Sequence, residues 1–200
     1  MKKAALVFAL MLLMIGAQAA ICGEMKIGIT GGVNIASLAG DDVEDLDSRT
    51  AAYFGGFLEF PVTPLLSFQP ELLYTMKGAT ESVEGTDVTY KLDYIEVPML
   101  LRVNVPMQGN IMPFVVAGPG IGFNTTAKVE ADGQEEDIEE IKGMDFGLIF
   151  GGGLGFPVSD GRYTISLAVR YELGLTTIDD SDEEADVKNR AVSIGAGLSF

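Results

Sequence analysis

The feature that most constrains this fold is a two-residue alternation that separates a bulky apolar face from a small, polar or charged face. From residue 163 to residue 176 the odd positions are Tyr, Ile, Leu, Val, Tyr, Leu and Leu, and the even positions are Thr, Ser, Ala, Arg, Glu, Gly and Thr. A period of two is typical of a β-strand and not of a helix. The second face contains Arg170 and Glu172, so it does not suit a conventional apolar core.

The same alternation recurs in eight segments, which the sequence predicts to be strands. The connections after the second, fourth and sixth segments are short and turn-like, whereas the others are longer and acidic. Short turns at one rim, long polar loops at the other and an even strand number predict an all-β fold, an eight-stranded antiparallel up-and-down transmembrane β-barrel. The predicted strands cover residues 25–38, 51–62, 66–78, 88–104, 111–124, 143–156, 162–177 and 189–200.

Charge and apolar surface are segregated along the chain. The net charge is −16 although 48% of the residues are hydrophobic, and acidic residues crowd into segments 41–47, 81–87, 130–140 and 179–186. We therefore expect the bulky face to contact lipid and the small, charged face to line the interior. A soluble ligand-binding barrel, with the bulky face inside, is the alternative. The acidity argues against nucleic acid as a partner.

The N-terminal segment is typical of an export signal. Lys2 and Lys3 precede an apolar run that ends near Ala17-Gln18-Ala19, which predicts a cleaved signal peptide over residues 1–19 and a barrel domain over 20–200. Cys22 offers a second interpretation, the lipidated cysteine of a lipoprotein, although Ile21 stands where a small residue is usual. The signal favours delivery to the outer membrane.

Aromatic residues on the bulky face fall near the predicted strand ends. We expect them to form two belts at the two membrane interfaces, separated by an aliphatic band. The belt near the short turns contains Phe60, Phe68, Phe156, Tyr163 and Phe200, and the belt near the long loops contains Phe54, Tyr74, Phe123 and Phe146.

Several of these segments carry a resemblance to a known family. The stretches "QPELLYTMKG" (69–78), "DYIEVPMLLRV" (93–103), "AGPGIGF" (117–123), "FGLIFGGGLGF" (146–156) and "RYELGLTTI" (170–178) resemble the PorT-like outer-membrane β-barrels, small barrels similar to the OmpA and OmpX type. The resemblance implies an outer-membrane location and insertion by the barrel-assembly machinery. It also implies that this machinery reads a final strand with a terminal aromatic residue, here Val192, Ile194, Leu198 and Phe200.

Strand parity directs a set of charged residues into the lumen. We expect them to pair into a hydrogen-bonded plug, because an eight-stranded barrel has little more room than its own side chains require. The alternative is a narrow ion path, or a gate that opens when carboxylates re-pair around Arg102 and Arg170. The lumen set is Lys26, Glu59, Glu71, Lys77, Glu96, Arg102, Asp145, Arg170 and Glu172.

Catalysis has little support in this sequence. The chain contains no His, which excludes Ser-His triads and imidazole metal sites. We therefore expect no enzyme activity, no cofactor and no metal site. The acidic loops are expected to be solvated, with weak divalent-cation binding that bridges to lipopolysaccharide as the alternative.

The expected function is that of an integral outer-membrane protein with a structural or interaction role. A narrow porin-like channel for ions or small solutes is the alternative. The expected partners are outer-membrane lipid and lipopolysaccharide, the barrel-assembly machinery during insertion, and a surface or periplasmic protein of unknown identity.

Overall fold

The computed structural model describes residues 23–40, 46–83, 86–105, 107, 109–138, 140–159, 161–180 and 186–200. The predicted signal peptide and Cys22 lie outside these ranges, as do residues 41–45 and 181–185 of two acidic segments. Within the described ranges the chain forms nine strands, and no helix is long and apolar enough to cross a membrane. The strands are β1 Lys26–Ala39, β2 Asp47–Pro61, β3 Leu66–Val83, β4 Thr86–Asn104, β5 Met112–Ala131, β6 Gln134–Asp137, β7 Met144–Val158, β8 Tyr163–Gly174 and β9 Lys188–Ser199.

Eight of these strands close into a barrel, which confirms the predicted fold. Each barrel strand pairs antiparallel with the next, β5 pairs with β7, and β1 pairs with β9. The closing ladder runs from Gly28 opposite Ser199 to Ala39 opposite Lys188. Ile27 and Phe200 each donate a backbone hydrogen bond to the other, at 3.0 and 2.9 Å, so the last residue is tied to the first strand.

The bulky face of the alternation lies on the outside of the barrel. In β8, Ile165, Leu167 and Val169 are 44%, 53% and 51% exposed, whereas Arg170 and Glu172 are each 9% exposed. Because successive side chains of a strand point to opposite faces, the small and charged set lines the interior. This arrangement is the inverse of a soluble barrel, whose bulky face is inside.

The two rims of the barrel differ in the way predicted from the connections. The turn rim, defined by the β2–β3, β4–β5 and β7–β8 connections and by the chain ends, has Phe60 opposite Phe68 in register. The loop rim, defined by the remaining connections, has Phe54 packed against Tyr74 with ring centroids 5.6 Å apart. The Tyr74 hydroxyl donates to Asp93 at 2.8 Å, which gives that ring a polar end at the edge of the apolar band.

Four of the strands continue past the loop rim, where the sequence predicted loops. β2 begins at Asp47 rather than 51, and β3 ends at Val83 rather than 78. β4 begins at Thr86 rather than 88, and β5 ends at Ala131 rather than 124. β6 then pairs with the end of β5 through Asp132 and Gly133, whose φ angles are 50° and 76°. Positive φ at both central residues is what a type I′ hairpin turn requires, and Asp-Gly is a favoured sequence for it. We call residues 79–83, 86–92, 125–131 and 134–137 the loop-rim extension.

Ion pairs link β4, β5 and β6 within this extension. Lys91 lies 2.7 Å from Glu135 and also pairs with Glu130, and Lys128 lies 2.9 Å from Glu135. Acidic residues that look like loop sequence therefore act as cross-strand partners. Hydrogen bonds from Lys91 and Lys128 lower the pKa of Glu135 from its ordinary 4.5 to about 2.

We predict that acid loosens β6. Because the pKa of Glu135 is lower in the folded hairpin than in an unfolded chain, its pairing stabilises the hairpin above pH 4.5 and is lost as the pH falls toward about 2. Cross-strand NOEs between Glu130 and Glu135 should weaken in that interval. In E135Q the NOEs should be weak throughout and should show no such step. An unchanged NOE pattern in the native protein from pH 6 to pH 2 would contradict this assignment.

Candidate functional site in the barrel lumen

The lumen contains nearly all of the charged residues that parity directed inward. Eight of the nine are buried, and Lys26 is the exception. As the first residue of β1, Lys26 is half-buried at the turn rim, opposite Glu59 in register. The buried set is Glu59, Glu71, Lys77, Glu96, Arg102, Asp145, Arg170 and Glu172.

Arg102 organises the layer nearest the turn rim. Its Nε donates to Asn104 Oδ1 at 3.0 Å and lies 3.9 Å from Glu59 Oε1. A second guanidinium nitrogen, NH1, donates to Gln69 Oε1 at 3.3 Å. The guanidinium carbon also stands 3.6 Å from the centroid of the Phe114 ring, a cation–π contact. The side chain is therefore held by hydrogen bonds and by an aromatic face, with only a distant carboxylate.

Arg170 and Glu71 form the central ion pair of the lumen. The NH1 and NH2 groups of Arg170 donate to the two oxygens of Glu71 at 2.6 and 3.0 Å, the bidentate geometry of a strong pair. Gln69 Nε2 donates to the same carboxylate at 2.5 Å and thereby joins this pair to the Arg102 layer. The Glu71 side chain has no exposed surface. Removing one partner from a buried pair of this kind is costly, because the other charge is left without a partner.

Lys77 lies between two carboxylates in the next layer. Its Nζ donates to Glu96 and lies 2.5 Å from Glu172 Oε1. Thr75 Oγ1 donates to the second oxygen of Glu96 at 3.0 Å, and the ammonium stands 5.2 Å from the Tyr94 ring centroid. One ammonium group therefore pairs with two carboxylates in this layer.

A hydrogen-bonded chain without an ion pair completes the polar interior toward the loop rim. Asn189 Nδ2 donates to the Tyr94 hydroxyl at 3.1 Å and to Asp145 Oδ2 at 2.9 Å. Thr176 Oγ1 donates to the other oxygen of Asp145 at 3.1 Å. Asp145 is 2% exposed and Asn189 is 1% exposed, so both depend on these partners.

Apolar side chains close the lumen at the loop rim, a feature that the sequence analysis did not predict. Leu92, Tyr94 and Ile178 are at most 1% exposed and pack together, with Leu38, Ala127, Ile141 and Val187 against them. We call this cluster the apolar cap. Backbone hydrogen bonds knit its segments together: Lys142 N donates to Ile178 O at 2.8 Å, and Ile178 N donates to Val187 O at 2.7 Å.

A second apolar cluster crosses the interior nearer the turn rim, so the expectation of a small, polar or charged interior was incomplete. Its buried members are Leu100, Phe114, Val116 and Ile149, with Ala168 packed against them. Leu92, Tyr94 and Leu100 lie at even positions of β4, as do the buried charged residues Glu96 and Arg102. This shared parity is the sequence signal that predicts their place in the lumen. Charged and apolar layers together fill the lumen.

Glycines supply the room that the interior aromatic rings need. A Cβ on Gly195 would lie 2.1 Å from the Tyr53 hydroxyl, and a Cβ on Gly28 would lie 2.3 Å from the tip of the Phe57 ring. Both distances are far shorter than van der Waals contact, so any larger residue would displace the rings. The Gly-rich strands thus accommodate aromatic filling of the barrel, as expected of a crowded interior.

The buried charges do not balance. Among the described residues, the buried set has five acids, Glu59, Glu71, Glu96, Asp145 and Glu172, against the three bases Lys77, Arg102 and Arg170.

No group of three or more Cys, Asp or Glu side chains in the described part of the chain has an arrangement that would hold a metal ion.

The residues of the expected insertion signal lie on the outer face of β9 and at its end. Ile194, Leu198 and Phe200 are exposed and Val192 is half-buried, all on the parity opposite to the lumen. Their recognition by the assembly machinery stays a prediction.

Comparison with known proteins agrees with this architecture. The sequence matches the family described as "Outer membrane protein beta-barrel domain" over residues 17–180. The chain belongs to this family. Membership places the protein in the outer membrane, and the apolar outer face of the barrel suits that location. No curated protein matches this sequence.

Two solved outer-membrane barrels, Neisserial surface protein A and OprG, share the fold at low sequence identity. Neisserial surface protein A superimposes with a TM-score of 0.54 at 15% identity, covering 87% of this outer-membrane barrel and 96% of its own chain. OprG from Pseudomonas aeruginosa gives a TM-score of 0.50 at 13% identity, with coverages of 88% and 95%. Ail of Yersinia pestis, in complex with the heparin analogue sucrose octasulfate, gives 0.45 at 20% identity, with coverages of 89% and 100%.

We predict that removing one partner of the Arg170–Glu71 pair destabilises the barrel far more than replacing both partners with apolar residues. Removing one partner, as in E71L or R170M, leaves a buried unpaired group and should lower the free energy of unfolding by about 3–5 kcal/mol. The double variant E71L/R170M should lose less than either single variant, because no unpaired charge remains. Urea unfolding of the barrel refolded into liposomes measures all three.

Arg162 in the exposed β7–β8 turn provides the control for this experiment. R162M should change the free energy of unfolding by no more than about 0.5 kcal/mol, as expected for a surface substitution. Additive losses in E71L/R170M would show that the two side chains do not act as a pair.

Proposed function

We propose that this protein is a closed, non-conducting outer-membrane barrel whose role is structural or in surface interactions. The supporting observation is the filling of the lumen by successive layers: the Arg102 layer with its apolar neighbours, the Arg170–Glu71 pair, the Lys77 carboxylate layer and the apolar cap. Most polar groups of these layers are paired with one another, and among the described residues only Arg170 Nε and Asn189 Oδ1 of these layers are buried without a partner. An eight-stranded barrel leaves little further room.

A narrow porin-like channel is the competing function. Ion passage would require separation of the bidentate Arg170–Glu71 pair and also displacement of Ile178 and its neighbours in the apolar cap. Breaking a buried ion pair and exposing packed apolar side chains each cost several kcal/mol. The closed arrangement is therefore the better supported of the two. We also propose that the protein is not an enzyme, since the buried carboxylates are engaged in ion pairs and in hydrogen bonds from Thr75, Thr176 and Asn189.

The loop-rim extension is the surface best suited to a protein partner. It projects beyond the apolar band and presents exposed acidic residues on β6 and its turn, including Glu136 and Asp137. We place this rim outside the cell, as is usual for the longer loops of such barrels, with the turn rim in the periplasm. A surface partner with a basic face, or a periplasmic protein at the turn rim, fits this arrangement. We also propose that the protein belongs to the narrower group of PorT-like barrels.

Lipid partners follow from the outer face of the barrel. The aliphatic band between the aromatic belts is expected to contact outer-membrane lipid, and the loop-rim belt is expected to lie at the level of the lipopolysaccharide head groups. Acidic loop residues would repel those head groups unless divalent cations bridge them.

Planar-bilayer recording tests the closed lumen. We expect the purified barrel to give little or no steady current at moderate voltage, because the layers leave no continuous aqueous path. An open porin inserted in the same bilayers is the positive control for membrane quality and electrolyte. Protease protection of reconstituted vesicles confirms that the silent protein has inserted. A reproducible unit conductance from the inserted barrel would overturn the proposal and favour the channel.

A further inference from the structure

A small cavity separates the two strongest charge clusters of the lumen. Its volume is about 20 Å³, which is room for about one water-sized molecule. Its wall includes Arg170 from the central ion pair and both carboxylates of the Lys77 layer, Glu96 and Glu172. Thr75 and Tyr53 add hydroxyl-bearing side chains, so the wall is rich in hydrogen-bonding groups.

Arg170 has one donor that the ion pair does not satisfy. Its NH1 and NH2 groups are both engaged by Glu71, whereas Nε is buried and has no acceptor among the described residues. A buried N–H group without a partner costs about 1–3 kcal/mol, and more when the group is charged. The orphan donor belongs to a residue of the cavity wall, so an occupant of the cavity is the natural acceptor.

The charge of the wall selects the class of occupant. Glu96 and Glu172 disfavour an anion, and the Arg170 guanidinium disfavours a cation. A neutral molecule that accepts one hydrogen bond and donates others satisfies both signs at once. Among molecules that fit about 20 Å³, water has these properties.

We propose that this cavity is a binding site for a single long-lived water molecule that accepts from Arg170 Nε and donates to a carboxylate of the Lys77 layer. Such a water joins the Arg170–Glu71 pair to the Lys77–Glu96–Glu172 group. The separate charge clusters then become one hydrogen-bonded network running from Arg102 toward Tyr94. Bound in this way, the water is part of the lumen filling and not of a conducting path.

NMR of the full chain in lipid nanodiscs tests the site directly. The Arg170 Nε–H proton should show a cross-peak to water with the sign of a long-lived contact. Arg102 is the matched internal control, since its Nε–H is already donated to Asn104 Oδ1. The Arg102 proton should show no long-lived water contact.

A cavity-filling substitution supplies a second measurement. L73F places a larger side chain in the wall, and in the folded variant the Arg170 cross-peak to water should disappear. A heat-dependent shift in gel mobility verifies that the variant is folded. If the variant does not fold, the measurement on the native protein tests the proposal by itself. An observable Arg170 Nε–H proton that shows no water contact in the native protein, or a coupling across a hydrogen bond from Arg170 Nε to a carboxylate carbon, would overturn the proposal.

Discussion

The structure depends on one constraint, that backbone N–H and C=O groups have no water to pair with inside a bilayer. The antiparallel ladders meet this requirement only because β9 pairs with β1 and removes both sheet edges. Closure also explains why β9 is an ordered strand with one apolar face. Phe200 exchanges two backbone hydrogen bonds with Ile27, so the terminus is held in the ladder that seals the barrel.

Closure determines what the interior must contain. With the bulky face turned toward lipid, a barrel of eight strands is left with a narrow interior for small, polar and charged side chains. Those charges are costly unless they are paired or hydrogen-bonded. The Arg170–Glu71 pair and the two carboxylates around Lys77 supply ion pairs, and Asp145 is held by hydrogen bonds from neutral side chains. Apolar side chains fill the part of the lumen that the ion pairs do not occupy. Ile178 and Leu92 pack together at the loop rim and close the lumen there.

The sequence was sufficient for the fold because alternation with period two is a direct consequence of strand geometry. Arg170, Glu172 and Leu167 could be assigned to faces by parity alone. Parity does not specify partners, however: the cap around Ile178 joins residues from separate strands and loops, and the Glu71–Arg170 contact spans 99 positions. The alternation did not predict the loop-rim extension, because acidic runs are typical of solvated loops. Lys91 and Lys128 neutralise those acids across strands, and the Asp132-Gly133 turn was the overlooked hairpin signal.

Spin-label accessibility along β8 shows whether the bulky face contacts lipid while the charged face is enclosed. Single cysteines placed one at a time from 164 to 171 in a Cys22→Ser background are labelled in lipid nanodiscs. Accessibility to oxygen, which partitions into lipid, should peak at positions 165, 167 and 169 and should be low at the even positions. Maxima at the even positions, or no two-residue period, would contradict the account.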